Sequence, residues 1–238
     1  MFRISCLILI TIIFSVHSMQ RQIVYSRLDK EVTNSSPAVP YGEVASLVYC
    51  AELCSGDDYC MEFFYSPSGR QCIGLHCVKK GNYSYQFFAP AHLPMLYFGK
   101  EINWLEYSGN YYFYGEESVT WADAKLECQK RCGRLVEIKT KEESDWLAAT
   151  FLLKDDCLSK IYQTCTAWTG GNDLDIEGHY VWDHSNTSMV FTNWHTNEPS
   201  LYDPSQAPDR DCIDMFRNGE WNDRPCSYGN QFICEKII

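Results

Sequence analysis

The chain is short of positive charge and, beyond its first residues, of long apolar runs. Its 238 residues carry 20 Lys and Arg against 31 Asp and Glu, a formal net charge of −11. Because binding to nucleic acids depends on clusters of Lys and Arg, this balance argues against a nucleic-acid partner. No later segment approaches the roughly 18 consecutive apolar residues that a membrane-spanning helix requires. The sequence therefore predicts no membrane insertion.

Two familiar catalytic motifs are also missing. The sequence contains neither a Gly-x-Ser-x-Gly nucleophile motif nor a His-Glu-x-x-His zinc motif. Its six histidines are scattered, without the spacing of metal ligands. Catalytic groups can also assemble from distant positions, so the absence of these two motifs excludes only enzymes that carry them. The expectation is a binding protein and not an enzyme.

The N-terminal residues have the pattern of an export signal. Arg3 precedes an apolar run from Leu7 to Val16, and small or moderate residues follow at the usual cleavage offsets. Residues 1–18 are therefore predicted to be the signal peptide of a secreted, extracellular protein. In such a glycoprotein the Asn-x-Ser/Thr motifs predict surface glycosylation, at Asn34, Asn82 and Asn186.

Cysteine is abundant. The chain has 13 cysteines, and removal of Cys6 with the signal leaves an even number in a compartment where disulfides persist. A covalent framework is therefore favoured over a zinc site. The cysteines form two groups, before and after the interval from Cys77 to Cys128. Two domains are predicted, joined by a linker at 89–102, where prolines interrupt regular structure.

The first group of cysteines predicts a small α+β unit. Cys50 and Cys54 lie four residues apart in a stretch of helical periodicity, so both sulfurs are expected on one helix face. Residues 60–75 predict two strands around a Pro-Ser-Gly turn. Together with Cys60 and Cys72, this pattern resembles the PAN/apple domain over residues 24–88. The resemblance implies the pairs Cys54–Cys60 and Cys50–Cys72, and an interaction module whose protein or carbohydrate partner it does not name.

The second group follows an aromatic-rich stretch. Residues 104–114 favour a strand, and 118–128 have the pattern of a capped amphipathic helix. A strand at 134–138 and a helix from Lys141 to about Leu153 are predicted next.

The order of landmarks in residues 103–238 strongly resembles the C-type lectin domain. The landmarks are Trp121, Ala124, Cys128, Leu135-Val136, Trp168-Thr169-Gly170-Gly171, Trp182, Trp194, Glu198-Pro199, Cys212, Trp221-Asn222-Asp223, Cys226 and Cys234. The resemblance implies an α+β fold with long calcium-binding loops. It also implies the disulfides Cys128–Cys234 and Cys212–Cys226.

The resemblance further implies a principal Ca²⁺ site that also holds sugar. In such lectins, carboxylate and amide oxygens hold the ion, and two adjacent sugar hydroxyls complete its coordination shell. By position, Glu198, Asn222 and Asp223 would be the metal ligands, and these residues with Ser200 would contact the carbohydrate. A cis peptide bond is expected before Pro199, because the cis form is tolerated mainly before proline.

A second Ca²⁺ site is implied beside the first. Asp173, Glu177 and Asp211 occupy the positions of its ligands. Binding there would order the loops before the sugar arrives, which lowers the entropic cost of sugar binding.

Two positions depart from the family pattern. Ser200 stands where sugar-binding members have an amide or an acid, and Arg210 stands where a carboxylate is expected. An inward-pointing Arg210 would repel calcium, although Asp203, Asp209 or Asp211 offers compensation. The plainer alternatives are an exposed acid at Glu198, a solvated loop at 173–177 and a simple turn at Asn222-Asp223.

The sequence thus favours a secreted calcium-dependent lectin that recognises glycans on cell or microbial surfaces. The alternative is a protein-binding or matrix component whose sugar site has decayed. Five cysteines in the first unit and seven in the second leave an odd count in each. Cys77 is therefore expected to pair with Cys132, Cys157 or Cys165, unless a disulfide-linked dimer satisfies the count.

Overall fold

The structure is a computed structural model that describes residues 12–13, 24–27, 37–78, 95–153, 165–200 and 209–237. The chain forms two compact units, residues 1–103 and 104–238. Outside the described residues lie Asn34, Asn82, Cys157, Asp203 and most of the predicted signal peptide. Within the described ranges, no helix is long and apolar enough to cross a membrane.

The first unit packs one helix on an antiparallel sheet. The elements are β1 (Ile12–Ile13), β2 (Val24–Arg27), β3 (Ala38–Glu43), α1 (Leu47–Gly56), β4 (Cys60–Ser66), β5 (Gln71–His76) and β6 (Leu96–Lys100). The sheet has the strand order β1-β2-β6-β4-β5-β3. The helix begins after Ser46, whose hydroxyl accepts a hydrogen bond from the amide of Tyr49 at 3.2 Å and so caps the first turn.

Two disulfides join α1 to the sheet. Cys50 bonds to Cys72 on β5, and Cys54 bonds to Cys60 on β4. These are the pairs predicted for this unit. Both helix cysteines are buried, as expected for residues that share one helix face.

The predicted linker at 89–102 extends too far, because β6 lies inside it. β6 pairs with β2 and β4 at the centre of the first sheet. Two of its aromatic rings explain this placement: Phe98 stacks on Phe63 at 5.2 Å, and Tyr97 stacks on Phe64 at 4.5 Å, between ring centroids. Cross-strand aromatic packing therefore outweighs the effect of the nearby prolines on residues 96–100.

The second unit is a mixed sheet flanked by two helices. The elements are β7 (Leu105–Tyr107), β8 (Asn110–Val119), α2 (Trp121–Lys130), β9 (Arg134–Leu135), α3 (Lys141–Leu147), a π-helical turn (Ala148–Leu152), β10 (Thr166–Asn172), β11 (Val181–Trp182), β12 (Thr187–Ser188), β13 (Cys212–Phe216), β14 (Trp221–Arg224) and β15 (Asn230–Ile237). The strand order is β12-β11-β10-β15-β8-β7, with β13 paired to β10 and β14, and β9 paired to β15. Only β10 and β15 pair in parallel within the described sheet.

Two predicted boundaries are corrected. The helix predicted from Ser118 begins at Trp121, because Thr120 caps it and Val119 still pairs with Asn230 in the sheet. The strand predicted over 134–138 is shorter, and only 134–135 pair regularly with β15.

Buried tryptophans fill the core of the second unit, and the ring nitrogens of three of them donate hydrogen bonds. Trp121 donates to the carbonyl of Thr169 at 2.8 Å, and Trp168 donates to that of Val119 at 3.0 Å. Trp221 donates to the hydroxyl of Ser144 at 3.2 Å. Such partners make the burial of indole rings favourable. The core therefore holds β10 and β14 firmly, and the candidate site lies at their ends.

Two further disulfides are those predicted for the second unit. Cys128 on α2 bonds to Cys234 on β15, and Cys212 at the start of β13 bonds to Cys226 just after β14. Cys77, Cys132 and Cys165 are also disulfide-bonded. The expected pairing of Cys77 stays a prediction.

Candidate metal centre

The loop that carries Glu198 is fixed to the edge of β14. Trp194 forms an isolated bridge with Trp221, and the two rings lie edge to face at 6.1 Å. The amide of Trp221 donates to Asn193 at 2.8 Å, and the amide of His195 donates to the carbonyl of Trp221 at 2.8 Å. The loop from 193 to 200 is therefore held by the same strand that carries Asp223.

The peptide bond between Glu198 and Pro199 is cis, as the sequence predicts. Beyond it, the amide of Ser200 donates to both carboxylate oxygens of Asp223, at 3.0 and 2.9 Å. The hydroxyl of Ser200 donates to Glu198 at 2.8 Å. Ser200 thus connects two of the predicted metal ligands. We call Glu198 and Asp223 the Glu198 pair.

The pKa of Glu198 lies above its usual range. Burial is the largest cause, and the carboxyl of Asp223 adds to it through a hydrogen bond and through its charge. The Ser200 hydroxyl and the positive charge of Arg210 act in the opposite direction. Two carboxyl groups this close need a proton or a cation between them when the rest of the site is charged.

Asn222 meets different neighbours from those of Asp223. Its amide nitrogen donates to Asp214 at 3.0 Å, and the fully buried Asp214 also accepts from Arg224 and Asn230. Because successive side chains of a strand point to different sides, Asn222 and Asp223 diverge. The structure therefore brings together Glu198, Ser200 and Asp223, while ligation by Asn222 stays a prediction.

Asp173 lies at the end of β10 and is almost completely buried, with 2% of its surface exposed. Its amide donates to the carbonyl of Asp211 at 3.0 Å, and its Oδ2 accepts from the amide of Gly178 at 2.8 Å. Its Oδ1 has no hydrogen-bond partner among the described residues. A buried, unpaired carboxylate oxygen is costly unless a cation or a proton satisfies it.

The pKa of Asp173 is raised to about 6. Burial is the main cause, and the charges of Glu177, Asp211 and Asp223 contribute, while the Gly178 amide acts against them. The ionised form of Asp173 is therefore disfavoured in the absence of a positive charge nearby.

Three more carboxylates gather beside Asp173. Single oxygens of Glu177, Asp209 and Asp211 all lie within 4.8 Å of one another. Burial and the charge of Asp209 raise the pKa of both Glu177 and Asp211. We call these three residues, together with Asp173, the Asp173 cluster.

The donor set of the Asp173 cluster suits a hard cation. Calcium takes several oxygen ligands from carboxylates and carbonyls in flexible geometry. Asp173, Glu177 and Asp211 are the three ligands predicted for the second Ca²⁺ site, and the structure adds Asp209. The unpaired oxygen of Asp173 supplies an independent reason for a cation, since clustering of exposed acids alone would not.

Arg210 lies between two members of this cluster and points to the Glu198 pair. Its guanidinium donates to the hydroxyl of Ser200 at 3.0 Å. Arg210 is exposed, whereas Glu198 and Ser200 are partly buried. The positive charge of Arg210 therefore acts on the predicted ligand Glu198, where it would disfavour calcium, although the residue itself is exposed.

Tyr180 is a further residue of the Glu198 site that the sequence did not predict. Its hydroxyl donates to Asp223 at 3.2 Å, and its ring lies edge to face with Trp194 at 4.8 Å. Burial and the charge of Asp223 raise the pKa of Tyr180, so its hydroxyl stays a donor. No local motif marks it, because the contact spans 43 residues of sequence.

Asp214 was overlooked for a different reason. It is one of many acids in this third of the sequence, and its place in the apolar run of β13 was the only signal of burial. Among the predicted glycosylation sites, Asn186 is exposed in the turn between β11 and β12.

The fold and site define the class of this protein. The model of the lectin C-type domain family matches residues 117–236, half of the chain, and the chain belongs to that family. Domains of this family generally bind Ca²⁺, and its members are generally binders and not enzymes. The family also includes proteins that bind ligands other than sugars.

Particular relatives sharpen this placement. The chain is 32% identical over 136 residues to the mouse low affinity immunoglobulin epsilon Fc receptor, a match that covers 57% of this chain and 36% of the receptor. It is 30% identical over 137 residues to mouse asialoglycoprotein receptor 2, covering 57% of this chain and 41% of that protein. The chain thus spans less than half the length of these relatives.

A solved structure is similar to the second unit. The carbohydrate-recognition domain of the mouse scavenger receptor C-type lectin shares 27% identity, with a TM-score of 0.50. The similarity covers 58% of this chain and 98% of that domain.

Proposed function

We propose that this protein is a secreted, calcium-dependent carbohydrate-binding protein whose lectin unit recognises glycans on cell or microbial surfaces. The observation that carries the proposal is the buried Oδ1 of Asp173, which lacks a partner among the described residues and faces a cluster of carboxylates. Calcium, when bound, would neutralise these acids and offer coordination positions to two neighbouring sugar hydroxyls.

The residues of the two acidic regions have different tasks in this proposal. The Asp173 cluster would hold the ion that orders the loops, and Asp173 would supply its unpaired oxygen. Glu198 and Asp223 would hold the second ion and accept hydrogen bonds from sugar hydroxyls, since ionised carboxylates act only as acceptors. Tyr180 would keep the Asp223 carboxylate oriented through its hydroxyl, which donates to Asp223 at 3.2 Å.

The first unit enters the proposal as a PAN/apple-like interaction module. Its support is the helix joined to an antiparallel sheet by Cys50–Cys72 and Cys54–Cys60. A second binding module on the same chain would raise avidity for a surface that offers both ligands. The same effect would follow from a disulfide-linked or non-covalent oligomer.

The test of calcium-dependent sugar binding is a glycan array probed with the intact mature protein in millimolar calcium and in EDTA. Two charge-removing variants, Glu198→Gln and Asp223→Asn, change the Glu198 pair with little change in shape. Asp145→Asn is the matched control, because Asp145 is an exposed acid on α3. We expect binding that EDTA and both site variants abolish and that the control retains.

A second candidate function rests on the contact between Arg210 and Ser200. If these residues close the sugar position, the unit is a protein-binding or matrix component with a lectin fold. Glycan binding that is absent, or that ignores EDTA and both substitutions, would contradict the first proposal and favour this one.

A further inference from the structure

The Glu198 pair has a positively charged neighbour in Arg210, which reaches it through Ser200. The Ser200 hydroxyl donates a hydrogen bond to Glu198 at 2.8 Å, and the same oxygen accepts a hydrogen bond from Arg210 at 3.0 Å. The chain of contacts therefore runs from the guanidinium through Ser200 to the carboxylate. A guanidinium keeps its charge at every physiological pH, so this partner is permanent.

The Asp173 cluster has no comparable partner. Within the described ranges, the hydrogen-bond partners of Asp173 are three backbone groups, the amides of Gly178 and Ile176 and the carbonyl of Asp211, and of these only the Gly178 amide reaches the carboxylate. Arg210 lies between Asp209 and Asp211 in sequence, yet the hydrogen bond that its guanidinium makes among the described residues is to Ser200. Arg210 thus balances the negative charge of the Glu198 pair and leaves that of the Asp173 cluster unbalanced.

We infer that Arg210 is an internal counter-cation that competes with calcium for the Glu198 pair, so that the Asp173 cluster fills first and the Glu198 pair fills only when Arg210 turns outward. The inference rests on the proposed function, because it concerns the same site. Arg210 thereby sets how much calcium the sugar position requires.

The movement that this competition requires is small. Arg210 is exposed, and among the described residues its side chain makes one hydrogen bond, the 3.0 Å bond to Ser200. A long, exposed side chain can exchange such a bond for water at little net cost. Binding of calcium by Asp209 and Asp211 would also fix the backbone on both sides of Arg210, which couples the first binding step to the second.

The size of the effect follows from the charge alone. In water, a unit positive charge about 5 Å from a divalent cation disfavours binding by roughly tenfold or somewhat more. Removal of that charge should therefore strengthen the weaker calcium step by about tenfold and leave the stronger step nearly unchanged.

The experiment is calcium titration of the intact mature protein by isothermal titration calorimetry at low ionic strength. Arg210→Gln removes the charge and keeps a donor for Ser200, and Arg210→Lys keeps the charge. Lys141→Gln is the matched control, since it removes one positive charge from an exposed pair on α3. For wild type, Arg210→Lys and Lys141→Gln we expect a strong and a weak step. For Arg210→Gln we expect the weak step to tighten about tenfold.

A titration of Arg210→Gln that superimposes on wild type would overturn the inference, as would an equal gain in Arg210→Lys. The result is independent of sugar binding, because the calorimetric signal comes from calcium alone. If Arg210→Gln gains calcium affinity and the glycan array stays blank, the inference stands and the proposed sugar function fails. If the array shows glycan binding and the titration of Arg210→Gln matches that of wild type, the proposed sugar function stands and the inference fails.

Discussion

The Asp173 cluster and the Glu198 pair belong to the same unit, and both are built from carboxylates. They differ in what balances the charge. Asp173 is buried with an oxygen that no described residue satisfies, whereas Glu198 and Asp223 accept hydrogen bonds from Ser200 and lie near Arg210. The first region is thus prepared for an external cation, and the second already has a positive charge nearby in Arg210.

This contrast teaches that similar acidic composition does not imply similar affinity for metal. The free energy of ion binding depends on how poorly the empty site is satisfied as well as on the number of ligands. A site with internal partners must lose them before the ion enters. The predictions below aim to separate the two regions, beginning with the largest effect.

Substitution Asp173→Asn should have the largest effect, because it removes the buried charge from the uncompensated region. We expect the stronger calcium step to weaken by about a hundredfold, since a carboxylate in direct contact with a divalent ion contributes strongly. In EDTA the same variant should be more stable than wild type by roughly 1 to 3 kcal/mol, because ionised Asp173 is disfavoured there. Thermal unfolding with and without calcium measures both.

The control for this prediction is Asp145→Asn, which alters an exposed acid outside both regions. Loss of stability in EDTA as well as in calcium would show that Asp173 has a purely structural role.

Acidification gives the next largest effect. In the folded protein the pKa of Asp173 is raised from 3.8 to about 6, so the folded state binds more protons than the unfolded state between these values. In EDTA, this group's contribution to the free energy of unfolding should therefore rise by about 1.4 kcal/mol as the pH falls from 7 to 5. Urea unfolding at a series of pH values measures it.

In saturating calcium the free energy of unfolding should instead fall as the pH falls, because calcium requires the ionised carboxylate and is released as Asp173 is protonated. A pH dependence in EDTA that persists unchanged in Asp173→Asn would assign the effect to other acids, such as Glu177 or Asp211.

Much of this contrast could be predicted from the sequence. The resemblance to the C-type lectin domain implied one set of ligands at Asp173, Glu177 and Asp211 and another that includes Glu198 and Asp223. The sequence also showed that Ser200 and Arg210 differ from the residue types expected at their positions. The structure brings the members of each set close together, because disulfides and buried tryptophans fix where each loop starts and ends, as Cys212–Cys226 does for β13 and β14.

The direction of individual side chains could not be predicted in the same way. Whether Arg210 points to Ser200 or to solvent depends on contacts across a loop, and Tyr180 reaches Asp223 across 43 positions. Strand β6 was missed for a related reason, since its pairing depends on aromatic partners on β4. Local sequence patterns predict helices and strands, whereas contacts between distant residues determine which strands pair and where side chains point.

Substitution Tyr180→Phe should have a smaller effect, confined to the Glu198 pair. It removes the hydroxyl that donates to Asp223 at 3.2 Å and keeps the ring that packs on Trp194. We expect a loss of about 1 kcal/mol in the free energy of unfolding. The stronger calcium step should be unchanged and the weaker step lowered a few-fold, because Asp223 loses its orientation. Tyr228→Phe, at an exposed tyrosine, is the control.

Substitution Ser200→Ala should have the smallest effect and the most specific one. It removes the hydroxyl between Arg210 and Glu198 but keeps the amide that donates to Asp223. Arg210 then loses its hydrogen bond to Ser200 and should turn to solvent more often. The weaker calcium step should therefore tighten by about threefold, and the free energy of unfolding should change by less than about 1 kcal/mol. In the double variant with Arg210→Gln, Ser200→Ala should add nothing further, since both changes remove the same competitor. Fully additive gains would mean that Ser200 acts on calcium by itself and not through Arg210.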